Sequence, residues 1–383
     1  MITAPVLTFA AEPDGAPPSV LRAGAAGNFA RRPAGGEPML VLRQRADVLR
    51  ALSDPAHFAM AGVTGSGKLR GCPLTGAEMQ SPDGGLLNMD PPRLRECRQR
   101  INGLFTRRAA EATRPAIRAL AAPLVAALRP RHCPDAIAGF AEPFTAAAVC
   151  QMVGVPGRDW DRVLEFSRVA FAVVPSADAV NDVVAAWDEL YRYYEPAVAA
   201  KQARPDGTLI SRLTDALDGY TASQIAHVIG TVSNGFGAVL PVLAVALTEL
   251  VQQPQVVTAC LRGERSWAAV AAQLLNCRAL FPVALPRMVL ADTWLDGGQL
   301  VRKGTVVLPS LAAAAHDPCG TPPQSIAFGA GPHFCPGAAL TRVWLSCALA
   351  EFFGAFPAAR PAGGLEWQPG TLSVPREIRL ALH

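Results

Sequence analysis

The stretch from 328 to 337 constrains this chain more than any other, because it places one cysteine in a glycine-rich turn directly before a helix. It reads Phe-Gly-Ala-Gly-Pro-His-Phe-Cys-Pro-Gly, with Cys335 two residues before Gly337. Apolar residues then recur at helical spacing from 338 to 349. A thiolate at a helix start is stabilised by free backbone N–H groups and by the helix dipole. The pattern predicts either a cysteine that functions as a thiolate or a buried cysteine in an ordinary loop–helix junction.

The same stretch resembles the haem-binding loop of the cytochrome P450 family. Phe328, Gly331, Cys335 and Gly337 stand at the signature positions of that loop. The resemblance implies that Cys335 is the axial thiolate ligand of the iron of haem b. Because glycine readily adopts positive φ angles, Gly329, Gly331 and Gly337 are expected to let the backbone approach a flat group closely. The cofactor-binding residues that the resemblance implies in this loop are Phe328, Gly329, Gly331, His333, Cys335 and Gly337.

The resemblance covers roughly residues 38 to 383, without an internal repeat or a clear linker. It implies a fold that is mainly α with small β-sheets, in one large domain. The haem is expected between a long central helix and the Cys335 loop. Residues 1–37 are rich in Gly, Pro and Ala, and we expect them to form an irregular N-terminal segment.

The composition is that of a globular protein with a deep core. Of the 383 residues, 50% are hydrophobic and 17% are charged. The formal net charge is +4 and no dense basic block is present, so nucleic-acid binding is not expected. The nine cysteines are scattered without C-x-x-C spacing, which argues against a zinc site or a disulfide framework. A reducing cytoplasm fits this cysteine usage best.

No membrane segment is expected. Residues 1–11 are apolar but lack a basic n-region, and acidic residues follow at once, which makes a poor signal peptide. The apolar run 236–250 is interrupted by Pro241, as in a buried helix. The sequence therefore predicts a cytoplasmic protein.

Residues 62 to 69 are a near miss to a phosphate-binding loop. Gly62 is followed by Gly67 and Lys68, but Leu69 stands where Ser or Thr would hold magnesium. No strand–loop–helix pattern surrounds these residues. Nucleotide binding is therefore not expected.

Apolar periodicity predicts the main elements. A strand is expected at 39–42, and helices are expected at 46–52, at 181–203 and from 223 to about 252. A further, arginine-rich helix is expected to begin after Asp90.

Three basic side chains match the family's contacts to the haem propionates. In the arginine-rich helix after Asp90, Arg98 stands at the Arg position of the family, whereas Leu94 replaces its usual His. Arg287 matches a strand arginine, and His333, two residues before the cysteine, matches a second donor. For His333 the alternative is a loop histidine whose ring is satisfied by the main chain. The resemblance thus implies that Arg98, Arg287 and His333 bind the propionates.

Further arginines surround Arg98, at positions 93, 95, 100, 107 and 108. By themselves they predict a solvated basic face. The resemblance would turn this face toward the thiolate side of the haem, where it could dock an acidic electron carrier, a ferredoxin supplied by ferredoxin reductase.

The central helix departs from the family at the catalytic positions. The Ala-Gly-x-acid-Thr segment of the family falls on residues 234 to 238, Asn-Gly-Phe-Gly-Ala, so that Gly237 replaces the acid and Ala238 replaces the threonine. In the family those two side chains relay protons during dioxygen activation, and neither Gly nor Ala carries a group that can do so. The candidate catalytic residues are therefore Cys335 and, on the distal side, Asn234, Gly237 and Ala238. Glycines in this segment and Pro241 also predict a kinked helix.

Two further departures are expected to be coupled. Arg278 matches the arginine of the family's Glu-x-x-Arg helix, but Leu275 occupies the glutamate position. Between Pro318 and Phe328 only residues 319–327 remain, where the family has a longer meander that supplies another basic residue to the same ion network. If the glutamate and the basic residue of the meander are both lost, fewer charges of the ion network remain without a partner than if only one of them is lost.

The sequence favours a haem-thiolate oxidoreductase of bacterial specialised metabolism that acts on a mostly apolar small molecule. Hydroxylation, oxidative coupling or cyclisation is expected, with protons delivered by the substrate or by water, or with peroxide as oxidant. One alternative is a haem enzyme that catalyses a non-oxidative rearrangement, cyclisation or dehydration. A second alternative is a catalytically silent family member that activates a partner enzyme. The intact Cys335 loop argues against the second alternative, because a scaffold needs no axial ligand.

Overall fold

A computed structural model provides the structure of the chain. The residues that it describes are 29–30, 39–60, 85–170, 177–236, 238–277, 281, 283–296, 298–315, 325–364, 367–368 and 374–382. In the predicted irregular segment 1–37, only the strand Phe29–Ala30 lies among them. The near miss to a phosphate-binding loop at 62–69 lies outside them.

Helices make up most of this part of the chain. The α-helices are α1 (Arg45–Ser53), α2 (Arg93–Ile101), α3 (Arg107–Ala112), α4 (Arg114–Leu128), α5 (Glu142–Val153), α6 (Trp160–Ala170), α7 (Ala177–Ala203), α8 (Leu209–Ala216), α9 (Ala222–Phe236), α10 (Val239–Val251), α11 (Pro254–Leu261), α12 (Trp267–Cys277), α13 (Leu311–Ala315) and α14 (Ala338–Ala355). Short 3₁₀ turns lie at 102–105, 157–159 and 331–333, and a π-helical turn lies at 137–141.

The strands are short and form four small sheets. They are β1 (Phe29–Ala30), β2 (Met39–Leu42), β3 (Phe58–Met60), β4 (Arg287–Val289), β5 (Thr293–Trp294), β6 (Leu300–Val301), β7 (Val306–Pro309), β8 (Arg360–Pro361), β9 (Trp367–Gln368), β10 (Val374–Pro375) and β11 (Leu380–Ala381). The largest sheet has the order β1-β2-β7-β4-β3, and in it β2 and β7 are parallel. The predicted fold class, mainly α with small β-sheets in one domain, is confirmed.

The core lies where α14 packs against α4 and α12, and where α9 packs against α7 and α5. Its largest fully buried side chains are aromatic and include Trp344, Phe140, Phe144, Phe352 and Phe353. Burying each such side chain contributes roughly 1.5–3 kcal/mol, so this cluster holds the helices in fixed positions. The sheet of β1–β4 and β7 packs a second, smaller core against α1 and α13.

The predicted elements are found close to their expected bounds. The strand at 39–42 is β2, the helix at 46–52 is α1, and the arginine-rich helix after Asp90 is α2. The helix predicted at 181–203 is α7, which begins four residues earlier at Ala177. The stop after α1 follows from Asp54, whose carboxylate accepts the backbone N–H of Ala56 at 3.2 Å.

The long central helix is described as two segments, α9 and α10, on either side of residue 237. It starts at a reciprocal cap, in which Gln224 N–H donates to the Thr221 hydroxyl at 3.2 Å and Thr221 N–H donates to the Gln224 side chain at 3.0 Å. Pro241 lies in the first turn of α10, where its missing N–H costs no helical hydrogen bond. The two segments span the range predicted for one kinked helix.

Two helical stretches, 222–251 and 338–355, are long and apolar enough to cross a membrane by length and composition. Of their most apolar windows, 80% and 67% of the residues are buried inside the protein. Their apolar character is therefore explained by packing in the protein core.

Gly85 connects the segment before α2 to the central helix. A Cβ atom at Gly85 would lie 1.9 Å from the Thr231 hydroxyl oxygen and 2.6 Å from the His227 carbonyl oxygen. Its carbonyl accepts the backbone N–H of Asn88 at 2.9 Å, which turns the chain toward Met89 and α2. Only a residue without a side chain allows this close approach to α9.

We therefore expect Gly85→Ala to destabilise the haem-loaded protein by roughly 1–3 kcal/mol, because the added methyl group overpacks the contact with α9. Urea unfolding measures the change. Gly103→Ala is the matched control, since no atom lies within 4 Å of its added Cβ. Equal unfolding midpoints for the two variants would contradict the contact.

Candidate haem-thiolate site

The Cys335 loop is closed by main-chain hydrogen bonds. The backbone N–H of Cys335 donates to the Phe328 carbonyl at 3.0 Å, and the N–H of Phe334 donates to the Gly331 carbonyl at 3.0 Å. The loop then leads directly into α14, whose first residue is Ala338. These bonds hold the cysteine side chain at the N-terminal end of a long buried helix.

Glycine is required at two of the three positions predicted from the sequence. Gly329 has φ +74° and Gly331 has φ +66°, both in the left-handed region that side chains disfavour. A Cβ atom at Gly331 would also lie 2.3 Å from the Leu52 carbonyl oxygen, so this glycine fits the loop against the end of α1. Gly337 has φ −73°, and the expectation of a positive φ there is wrong, because this residue already takes helical geometry at the start of α14.

Cys335 is half-buried, and its sulfur lies among donors and positive charges. Burial raises the pKa of the Cys335 thiol. The backbone N–H groups of Gly337 and Ala338, which donate to the sulfur, act in the opposite direction. So do the guanidinium charges of Arg98 and Arg342. These groups therefore stabilise a thiolate, and a further cation bound to the sulfur would offset the cost of burying its charge.

Arg342, in the second turn of α14, was not identified from the sequence. Its guanidinium stands over the Phe328 ring, 4.5 Å from the ring centroid, and donates to the Ala338 carbonyl at 3.3 Å. A cation and an aromatic ring at this distance attract each other. Arg342 thus fixes Phe328 beside the cysteine.

Arg98 joins α2 to the cysteine loop. Its guanidinium donates to the Phe334 carbonyl at 2.7 Å. Burial lowers the pKa of Arg98, while the neighbouring thiols of Cys335 and Cys97 act in the opposite direction. Leu94, at the position of the family's histidine, is 1% exposed and packs in the core.

Arg287 is a buried cation on β4. It is 3% exposed, and its guanidinium donates to the Leu285 carbonyl at 2.8 Å and to the Pro286 carbonyl at 3.3 Å. Burial lowers the pKa of Arg287 to about 10, and the charge of Asp90 opposes that change. The Asp90 carboxylate also accepts the Met60 N–H at 3.1 Å, so it is shared between the main chain and the cation.

His333 lies between these two arginines. Burial, followed by the positive charges of Arg287 and Arg98, lowers the pKa of His333 to about 3. A hydrogen bond to the main chain of Met89 opposes this change. Its Nε2 is buried and has no hydrogen-bond partner among the residues that the structure describes. One ring nitrogen is thus satisfied by the main chain, as in the alternative considered from the sequence, and the other is not.

The three basic side chains around the cysteine suit a bound anion. Arg98 and Arg287 both repel a proton on His333, and the orphaned nitrogen of His333 needs a polar partner. A carboxylate beside His333 would offset the positive charge of the arginines and favour the protonated ring, in which Nε2–H donates to the carboxylate. The half-buried Cys335 thiol beside such a site fits haem, which brings two propionates and an iron that takes a sulfur ligand. Among the described residues there is no cluster of three His, Cys, Asp or Glu side chains that would hold a metal ion directly.

Comparison with known proteins extends over most of the chain. No family model matches it. The mycinamicin IV hydroxylase/epoxidase of Micromonospora griseorubida is 30% identical over 363 residues, covering 89% of this chain and 88% of that protein. The nocardicin C N-oxygenase of Nocardia uniformis subsp. tsuyamanensis is 29% identical over 368 residues, covering 89% and 88%. The crystal structure of the LnmA cytochrome P450 hydroxylase from the leinamycin biosynthetic pathway of Streptomyces atroolivaceus superimposes with a TM-score of 0.79 at 26% identity, covering 97% of this chain and 98% of that one.

The chain belongs to the cytochrome P450 family. It is a P450-like enzyme, and its cofactor is haem b. The predicted alternative of a catalytically silent family member therefore loses its support. The reported relatives are a hydroxylase/epoxidase and an N-oxygenase, and the chain is of the P450 oxidoreductase kind.

On the distal side of this P450, two of the three predicted residues can be placed. Asn234 is completely buried in α9, and neither atom of its amide has a hydrogen-bond partner within the described part of the chain. Ala238 caps the start of α10 in helical geometry and is partly buried. Gly237 lies outside the described residues.

The predicted loss of an ion network is only partly visible. Leu275, at the family's glutamate position, is 2% exposed in the core on α12. Arg278 and most of the shortened meander, residues 316–324, lie outside the described residues. The loss of the glutamate partner of Arg278 therefore stays a prediction from the sequence.

Proposed function

We propose that this P450 oxidises a small molecule of bacterial specialised metabolism, with Cys335 as the thiolate ligand of the haem iron. The observation that carries the proposal is the convergence of Arg98 and Arg287 on His333, together with the hydrogen bond from Arg98 to the Phe334 carbonyl in the Cys335 loop at 2.7 Å. In the family to which the chain belongs, that sulfur position is the ligand position. Oxidative chemistry by hydroxylation, coupling or cyclisation follows from the haem-thiolate class.

Arg98, His333 and Arg287 are proposed to hold the two haem propionates. A propionate beside His333 would favour the protonated ring, so that Nε2, which lacks a partner within the described residues, would donate to the carboxylate. The propionates would also offset the buried charge of Arg287. Phe328 and the turn formed by Gly329, Gly331 and Gly337 are proposed to lie against the cofactor.

Bound haem supplies the redox chemistry that no side chain of this protein can perform. The chain's own residues orient and charge the site. The N–H groups of Gly337 and Ala338 stabilise negative charge on the cysteine sulfur. On the distal side, Gly237 and Ala238 carry no proton donor. We therefore propose that the substrate or a water delivers protons, or that peroxide serves as the oxidant.

The electron donor is proposed to be a ferredoxin, supplied by a ferredoxin reductase in the cytoplasm. Arginines at 93, 95, 100, 107 and 108 are all exposed on α2 and α3. Arg98, on the same helix as three of them, contacts the cysteine loop. An exposed basic face so close to the thiolate suits an acidic electron carrier.

A second candidate function keeps the haem but uses no external oxidant, catalysing a rearrangement, cyclisation or dehydration. It is favoured by the replacement of both proton-relay side chains by Gly237 and Ala238. Supplying a bound substrate with a reductase system, with peroxide, or with neither under anaerobic conditions separates the two. Turnover in the anaerobic, reductant-free sample alone would establish the second function in place of the first.

Cys335→Ser is expected to abolish the thiolate-type absorption band of the reduced carbon monoxide complex, because a hydroxyl is a far weaker ligand than a thiolate. Cys347→Ser is the matched control, since Cys347 is buried on α14, the helix that follows the loop, but lies away from the loop. The control should keep the band. A thiolate band that survives in Cys335→Ser would show that another residue binds the iron.

Arg287→Met is expected to release haem faster, because a charge-assisted hydrogen bond is worth about 1.5–3 kcal/mol, or about 10- to 100-fold. Transfer of haem to an excess of apomyoglobin measures the rate. Arg302→Met is the control, since the Arg302 side chain is 73% exposed and pairs only with Asp292 at 2.7 Å among the described contacts. Equal release rates for the two variants would remove Arg287 from the proposed propionate site.

Ala238→Thr is expected to raise the ratio of product formed to oxygen consumed by about tenfold if dioxygen is the oxidant, because a hydroxyl is restored where the family relays protons. Ala238→Val has nearly the same shape without the hydroxyl and serves as the control. An unchanged ratio in the threonine variant would indicate that the reaction never depended on that relay.

A further inference from the structure

A polar stripe runs along one side of the central helix α9. His227, Thr231 and Asn234 are spaced by four and three residues, so they lie within about 60° of one another on a helix of 3.6 residues per turn. All three are less than 10% exposed. The apolar buried residues of α9 lie on its other faces, at Ile225, Ala226, Val228, Ile229 and Val232. Ser233 is also fully buried, but its hydroxyl donates to the Gly230 carbonyl at 3.1 Å.

The stripe faces the segment that also contacts the cysteine loop. The backbone of Gly85 lies against the Thr231 hydroxyl and the His227 carbonyl. Four residues later, Met89 bonds to His333 through its main chain. The segment 85–89 thus runs from the stripe to the proposed propionate site. The stripe therefore borders the space between α9 and the Cys335 loop, where the proposed function requires the substrate.

Two of the three side chains carry buried polar atoms that have no hydrogen-bond partner among the described residues. Asn234 is 0% exposed, and both its Oδ1 and its Nδ2 are without a hydrogen bond to any described residue. His227 Nε2 is in the same condition, again as far as the described chain extends. By contrast, the Thr231 hydroxyl donates to the His227 carbonyl at 2.8 Å. Buried amides are rarely left unpaired, so the unpaired ones point to a ligand.

The hydrogen bonds of His227 define what it can offer. Its Nδ1 lies 2.6 Å from the Ser223 carbonyl, which only accepts, so Nδ1 carries a proton. In the neutral ring Nε2 is then an acceptor. The ring is held against Tyr191, with centroids 4.0 Å apart. Asp188 on α7 adds negative charge nearby, which favours a donor at this end of the stripe.

We propose that the substrate carries a carboxamide or lactam edge that pairs with Asn234, and a hydroxyl or amine that donates to His227. An amide edge is the group that satisfies Oδ1 and Nδ2 together, with one N–H and one carbonyl side by side. Seven residues of helix separate the two anchors, about 10 Å. This inference rests on the proposed function and names its substrate class, which is more polar than the sequence indicates.

The first test is stability without any ligand. In the haem-loaded protein, Asn234→Leu removes an unpaired buried amide and keeps a similar volume, so the midpoint of thermal unfolding should rise by about 2 °C. Thr248→Val is the matched control, because the Thr248 hydroxyl is buried on α10 and satisfied by the Ala244 carbonyl at 2.9 Å. The control midpoint should stay level or fall. A fall in Asn234→Leu would show that its amide is already paired within the protein, and would overturn the proposal.

The second test is binding, followed by calorimetry with three probes: decanamide, methyl decanoate and 10-hydroxydecanamide. Wild type should bind decanamide about tenfold more tightly than the ester, which lacks the N–H; tenfold corresponds to about 1.4 kcal/mol. Asn234→Leu should erase that difference, and Thr248→Val should retain it. The hydroxyl of 10-hydroxydecanamide should add about threefold or more in affinity, and His227→Phe should remove that gain.

Equal affinity of wild type for decanamide and methyl decanoate, no measurable binding of decanamide, or an amide preference that survives in Asn234→Leu would each overturn the proposal. The carbon monoxide spectrum of the same samples tests the proposed function separately. A thiolate band with no amide preference would refute the substrate class alone. An amide preference in a protein with no thiolate band would refute the haem-thiolate assignment and leave the amide site standing.

Discussion

Charge on the Cys335 sulfur is the constraint on which the rest of this structure depends. Burial by itself raises the pKa of the Cys335 thiol, so a thiolate there requires compensation from every side. Part of it comes from the start of α14, whose first N–H groups reach the sulfur. The other part comes from Arg98 and Arg342. The α14 helix can serve in this way because its packing against α4 and α12 holds its N-terminus in place.

The same region accumulates positive charge that the described residues neutralise only in part. Arg287 is almost fully buried, and Asp90 provides one opposing charge. His333 stays neutral because burial and the two arginines disfavour its proton. In the proposed site, a dianionic cofactor would offset the charge of Arg287 and favour a proton on His333, so that its binding would stabilise the fold. Cofactor binding and folding would thus be coupled through electrostatics in this part of the molecule.

The distal side differs from the family in its polar side chains. Where the family places an acid and an alcohol, this chain has Gly237 and Ala238, and one turn earlier it has the buried amide of Asn234. The loss of a proton relay and the presence of an unpaired amide occur on the same stretch of the central helix. Under the proposed function, both would make the chemistry depend on the groups that a substrate brings. A close contact at Gly85 ties this helix to the segment that contacts His333, so the two sides of the site share one support.

The ten-residue motif at 328–337 was sufficient for the family and the cofactor through its resemblance to a known loop, and apolar periodicity was sufficient for helices such as α1, α7 and the central helix, because both are short-range signals. Gly337 shows the limit of such signals, since a glycine in a turn can still take helical φ. Contacts between distant residues could not be inferred in this way. Arg98 donates to Phe334, which is 236 residues away, and Arg342 acts through a ring and a sulfur that only folding brings beside it. Whether the amide of Asn234 finds hydrogen-bond partners depends on every polar atom within about 3.5 Å, and these atoms can belong to residues far away in the sequence. The residue types and their order decided that a thiolate site would form, and the packing of α2, β4, α9 and α14 decided which charges and unpaired groups surround it.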